Sequence, residues 1–100
     1  MSVLSDILKE EYDRLNNSIN AFENKVEELP QGYIVNKKIK NKSYPYLQWR
    51  SGDKVKSKYL KAEELDQIKD DIDLRKKYEG DLKEMYASKK EFEKVLGKNL

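Results

Sequence analysis

Basic side chains and aromatic rings interleave along one stretch of this chain, and that combination is the chemistry most open to it. Tyr44-Pro45-Tyr46-Leu47-Gln48-Trp49-Arg50 is followed by a turn and then by Lys54-Val55-Lys56-Ser57-Lys58-Tyr59-Leu60. Lysine and arginine neutralise phosphates and release counterions. Lys38, Lys40, Arg50, Lys54, Lys56 and Lys58 are the candidates for that role. Arg50 alone has a planar fork able to grip a guanine edge or a phosphate in two-point fashion. Tyr44 and Tyr46 could stack on exposed bases or bond a phosphate through their hydroxyls. The competing reading is a solvated strand face, whose edge lysines discourage edge-to-edge aggregation.

The charge distribution sharpens the picture. Residues 30–61 hold nine basic side chains and one acid, Asp53, for a net +8. Residues 1–29 carry −4 and residues 62–100 carry −2, so the overall +2 hides a basic centre between acidic flanks.

Other chemistry is poorly supplied. With no cysteine and no histidine, disulfides, thiolate sites and the commonest general base are excluded. The acid clusters Glu10-Glu11-Asp13, Glu63-Glu64-Asp66 and Asp70-Asp71-Asp73 read as solvated helix faces paired with nearby lysines, since no loop glycine shapes a calcium turn. No phosphate-binding glycine loop or dinucleotide fingerprint occurs. We therefore expect a protein without enzymatic activity, cofactor or metal.

Three segments must position the basic centre. At 100 residues, the chain is expected to form a single domain over 1–100. Charged residues make up 40% against an ordinary 25% or so, which favours long exposed helices. Leu8, Tyr12, Leu15, Ile19, Phe22, Val26 and Leu29 alternate in steps of four and three, predicting a helix over 5–29 with a coiled-coil seam. Ser2 or Ser5 could cap it, and Pro30 and Gly32 would stop it. A second stripe, Leu65, Ile68, Ile72, Tyr78, Leu82, Met85, Phe92 and Leu96, predicts a long helix over 62–96, interrupted in polarity at Arg75 and Lys89. Residues 31–60 are rich in β-branched and aromatic types and predict a basic β-hairpin or three-stranded antiparallel meander. The expected fold class is α+β, with the two helices packed as an antiparallel coiled-coil hairpin.

Register decides which residues face outward, because alternate strand residues point to opposite faces. Hairpin loops with an odd number of residues would gather Tyr33, Val35, Ile39, Leu47, Trp49, Val55 and Tyr59 on one apolar face. The opposite face would then hold Lys38, Lys40, Tyr44, Tyr46, Gln48, Arg50, Lys54, Lys56 and Lys58. Two residues fit this register badly. Lys37 lands on the apolar face, and Pro45 lies where a meander has its central strand, marking a strand start, a bulge or a different strand order.

The stretch from Tyr44 to Leu60 resembles a segment of small uncharacterised bacterial and archaeal proteins, in which an aromatic strand, a turn and a lysine-alternating strand precede a long charged helix. This chain departs from that pattern at Pro45 and at Asp53, where glycine is common. The segment is also similar, more loosely, to strand ribbons near the N-termini of some transposases and tyrosine integrases. That second resemblance implies a three-stranded sheet that contacts DNA.

The leading expectation is a small non-enzymatic module that contacts nucleic acid, DNA or RNA, through a basic, tyrosine-bearing β surface. The alternative is a protein-interaction module, such as a phage or mobile-element inhibitor that docks a host nucleic-acid enzyme, or an oligomerising coiled-coil protein. The long second helix should outreach the first, leaving Phe92, Val95 and Leu96 beyond it for Met1, Val3 and Leu4 or a second chain to cover. That favours a homodimer through the helical stripe. No apolar run approaches the roughly 18 residues of a membrane span, and the first residues lack a signal-peptide pattern, so a cytoplasmic protein is expected.

Overall fold

The structure is a computed structural model, and it describes residues 3–97. The element order is α1 (Val3–Glu28), β1 (Tyr33–Ile39), β2 (Lys42–Ser51), β3 (Lys54–Tyr59) and α2 (Ala62–Leu96). The fold is α+β, and the middle segment is a three-stranded antiparallel sheet in the order β1-β2-β3. Met1 and Ser2, proposed as cover and cap, lie outside the described residues. Because α1 already runs at Val3, Ser5 sits inside its first turns and is not the cap.

The chain divides into two compact units, one of residues 1–28 with 77–100 and one of residues 29–76. In the first unit α1 lies antiparallel to the second half of α2. Phe22 meets Tyr78 edge to face at 5.3 Å between ring centroids, and Tyr12 meets Phe92 at 6.4 Å. Ile19 of α1 and Leu82 of α2 are the buried residues of this pair. The expected stripe residues therefore do face inward, at the 3.6-residue period that places them on one side of each helix.

The long overhang does not occur. Tyr12 covers Phe92, and its hydroxyl donates to Glu93 Oε2 at 3.0 Å. Phe92 and Leu96 are half-buried, while Val95 stays exposed. The mismatch disappears because the first half of α2 has a different partner, the sheet.

In the second unit Leu47, Leu60 and Ile72 form the buried core, with Ile34, Trp49, Leu65 and Ile68 packed against it. Leu60, the residue after β3, is only 1% exposed. Glu64 caps the start of α2 by accepting from the Lys61 backbone N–H at 3.1 Å, one half of a capping box. Just past α1, the Leu29 carbonyl accepts from Arg75 Nη1 at 2.6 Å. The polar break in the second stripe is thus a helix-end contact, consistent with the charge preference at a C-terminus.

The odd-loop register is overturned. Ile39 pairs with Lys42 and Ser51 with Lys54, so both hairpin loops have two residues, Lys40-Asn41 and Gly52-Asp53. Lys40 (φ 50°) and Asn41 (φ 69°) are both left-handed, the pattern of a type I′ turn. Gly52 alone is left-handed in the second turn (φ 66°), which matches type II′. An even loop pairs odd residues with even ones, so the strands exchange faces relative to the expectation.

Pro45 fits this register without a bulge. It lies opposite Asn36 in the central strand. Counting from the two-residue turn, that pair is a non-hydrogen-bonded one, so β1 asks nothing of its nitrogen. On the other side its carbonyl accepts from Leu60 N at 3.0 Å. Its missing N–H would serve the same pair, so the β2–β3 ladder closes at Tyr46↔Tyr59. Strand order follows chain order.

Candidate nucleic-acid interface

Cross-strand partners share a face, so the register fixes two surfaces of the sheet. The inner one holds Ile34, Leu47 and Trp49, turned to Leu65, Ile68 and Ile72 of α2. The outer one carries Tyr33, Val35, Lys37 and Ile39 of β1, Lys42, Tyr44, Tyr46, Gln48 and Arg50 of β2, and Val55, Ser57 and Tyr59 of β3. Four of the seven tyrosines therefore lie on one solvent-facing surface.

The rings are organised. Tyr59 meets Tyr46 at 5.6 Å and Tyr44 at 6.2 Å between centroids, both edge to face. Such pairs prefer this geometry because the positive edge of one ring meets the negative face of the other. Lys37 Nζ sits 4.4 Å from the Tyr46 ring centre, a cation–π contact, and donates to Ser57 Oγ at 3.2 Å. It thereby reaches from β1 across β2 to β3. Gln48 Nε2 donates to the Tyr33 hydroxyl at 3.2 Å. Tyr33 and Tyr59 remain about half exposed, at 53% and 47%.

The anticipated contact residues are divided by this arrangement. Tyr44, Tyr46 and Arg50 come together on the outer face. Lys40 projects from the β1–β2 turn. Lys38, Lys54, Lys56 and Lys58 point to the inner side, on the two edge strands, and all four are exposed. Lys56 is the cross-strand partner of Trp49, and Lys58 that of Leu47. Edge lysines can hold their ammonium groups in water while their stems lie along apolar neighbours. Lys58 Nζ also stands 3.8 Å from Glu64 Oε2. The apolar face expected from Tyr33, Val35, Ile39, Val55 and Tyr59 is instead the outer face, and Lys37 belongs to it.

Tyr33, Lys37, Lys42 and Tyr59, which the sequence reading leaves out of the candidate surface, lie on the same face as Tyr44 and Tyr46. The turn chemistry held the signal, since Asn41 tolerates a left-handed backbone and Gly52 opens a type II′ turn. Reading both as two-residue loops assigns these four side chains to the same face as Tyr44 and Tyr46.

Charge on the sheet is one-sided. Residues 33–59 contain eight basic side chains against Asp53, a net +7, and Asp53 lies in the β2–β3 turn. Among the described residues, no strand position on the outer face is a carboxylate. The described residues include no group of three or more acids placed to hold a metal ion, and no helix among them is long and apolar enough to cross a membrane.

No curated protein and no solved structure matches the chain significantly. The model of one family, described as Domain of unknown function (DUF6788), matches residues 6–70. The match runs from α1 through the whole sheet into the first half of α2, and so includes the candidate interface. Spanning well over half of the sequence, it shows that the chain belongs to the family described as Domain of unknown function (DUF6788).

Proposed function

We propose that this protein is a small non-enzymatic module that contacts nucleic acid through the outer face of its sheet. The observation that carries the reading is the gathering of four tyrosines with Lys37, Lys42 and Arg50 on one surface whose described strand positions include no carboxylate. Cations there neutralise phosphates, and the aromatic rings offer stacking or hydroxyl contacts. Lys38, Lys40, Lys54, Lys56 and Lys58 border that surface and extend its positive potential without lying on it. The looser resemblance to transposase and integrase strand ribbons agrees with a sheet-based contact.

Fluorescence anisotropy with labelled nucleic acid tests the reading. The wild type should bind at about 50 mM salt, with log K falling linearly against log salt. Arg50→Glu combined with Lys42→Glu should remove most of that binding while leaving the circular dichroism spectrum unchanged, because both side chains are exposed. Binding that survives both reversals would refute the outer face as the contact surface.

A second reading rests on the first unit. Val3, Leu4 and Ile7 are exposed apolar residues in the first turns of α1, and exposed Val95 lines a shallow hollow with Leu8, Ser88, Glu91 and Phe92. Exposed apolar clusters mark protein contacts. This version makes the protein an interaction module, self-associating as a homodimer or docking another protein. Light scattering across a concentration series separates a homodimer from a monomer.

A further inference from the structure

We infer that the ligand of the outer face is a single strand with unpaired bases, and that Tyr33 and Tyr59 are its stacking platforms. This inference rests on the nucleic-acid reading above and specifies the substrate class.

Three observations converge on it. The first is where the aromatic surface lies. Tyr59 is braced by Tyr44 and Tyr46 edge to face, yet remains 47% exposed. Tyr33 is steadied by Gln48 through its hydroxyl and remains 53% exposed. These are fixed rings with open surface, the property that base stacking exploits. A duplex hides its base faces inside the helical stack, so such rings would gain little from it, whereas a single strand presents a π-face at every base.

The second observation is the disposition of charge. Lys37 is laid flat over Tyr46 and tethered to Ser57, so the centre of the face is low and ring-covered. Lys42 and Arg50 stand toward opposite ends of β2, and the lysines of β1 and β3 lie along the edges. Tyr44 and Tyr46 on the central strand are flanked by Tyr33 and Tyr59 on the edge strands. Cations stand at both ends of β2 and beside the edges, which suits bases laid across the face with phosphates reaching the cations beyond them.

The third is the shortage of side chains that read a duplex. Major-groove recognition uses arginine, lysine, asparagine and glutamine on base edges. On this face Gln48 is already committed to Tyr33 and Lys37 to Tyr46 and Ser57, which leaves Arg50 and Lys42 at opposite ends of β2.

The two platforms are spaced for separate bases. Tyr33 is level with Gln48, and Tyr59 is level with Tyr46, two strands away. Ordinary strand spacing and rise place their Cα atoms about 12 Å apart. Each ring can therefore take its own base, with Tyr46 and Lys37 between them.

The test compares three labelled probes of equal length, about 12 nucleotides, by anisotropy at about 50 mM salt. They are oligothymidine, an abasic strand with the same phosphates, and a blunt duplex. The expected order is oligothymidine tightest, with the abasic strand weaker by roughly tenfold or more, since it lacks the bases that stack. Tyr59→Leu and Tyr33→Leu should each weaken oligothymidine binding about 5- to 100-fold while leaving abasic binding unchanged. Tyr59→Phe keeps the ring and its edge-to-face bracing and should bind as the wild type does, which separates stacking from a general loss of fold. A duplex bound as tightly as oligothymidine, or an abasic strand bound equally well, would overturn this inference and leave the nucleic-acid reading standing. Failure of all three probes to bind would overturn both.

Discussion

Gly32 shows how one residue holds the sheet against its neighbour. Its φ of +108° lies where L side chains rarely settle, and a Cβ there would stand 2.2 Å from the Gln48 carbonyl oxygen. The chain leaves α1 and enters β1 through this point, so the backbone conformation and the close approach to β2 are required together. Gly32→Ala should destabilise the protein by at least about 1–3 kcal/mol, the usual cost of such backbone strain, read as a lowered urea midpoint. An unchanged midpoint would mean that the turn rearranges freely. Tyr86 offers a second test at this scale. Desolvation raises its pKa above the ordinary 10.0, and Glu23 raises it further, because its carboxylate accepts a hydrogen bond from the neutral hydroxyl and repels the phenolate. A pKa raised in the folded state gives stability that is complete below the unfolded value and is lost as pH climbs through the folded one. Thermal stability should therefore fall above about pH 10, and Tyr86→Phe should lessen that fall relative to the wild type. Equal losses in both proteins would show that Tyr86 does not contribute.

At the scale of elements, helices and strands differ in how much the sequence reveals. The helix stripes are plain because the 3.6-residue period is set by backbone geometry, and every predicted stripe residue of α2 from Leu65 to Leu96 is at least half-buried. Even Arg75 and Lys89, the polar members of the stripe, are partly buried. Strand existence was legible from β-branched and aromatic content, but register was not. Apolar content alone groups the apolar strand residues on one buried face, whereas the sheet leaves Tyr33, Ile39, Val55 and Tyr59 exposed. The half of α2 that covers the sheet offers only Leu65, Ile68 and Ile72, so the inner face needs no more than Ile34, Leu47 and Trp49. Two-residue turn chemistry then outweighed apolar grouping, and Lys40, an unusual residue for a left-handed position, disguised the first turn. Leu60 joins the strand and helix parts of this unit. Leu60→Ala should cost about 2–5 kcal/mol, because a fully buried leucine leaves a cavity as well as losing its transfer energy. Thermal unfolding reads that loss, and a change below about 1 kcal/mol would argue that the core around Leu47 and Ile72 closes over the gap.

For the molecule as a whole, the two units differ in charge and aromatic content. The helix pair, α1 with the later part of α2, buries its own stripes and carries mixed charge. The sheet unit concentrates basic side chains and tyrosines, and the family match covers the sheet completely. The candidate surface was half legible. Tyr44, Tyr46 and Arg50 could be named from the sequence, while Tyr33 and Tyr59 required the pairing of three strands. The account stands or falls on which surface meets the ligand. The most direct measurement is a nitrogen-15 NMR titration of the full chain with oligothymidine at about 50 mM salt. The outer-face account predicts the largest amide shifts in β2 and β3 around Tyr44, Tyr46, Gln48 and Tyr59, with the Tyr33 region close behind and α1 unmoved. Shifts confined to α1 and the C-terminal half of α2, or none at all, would contradict it.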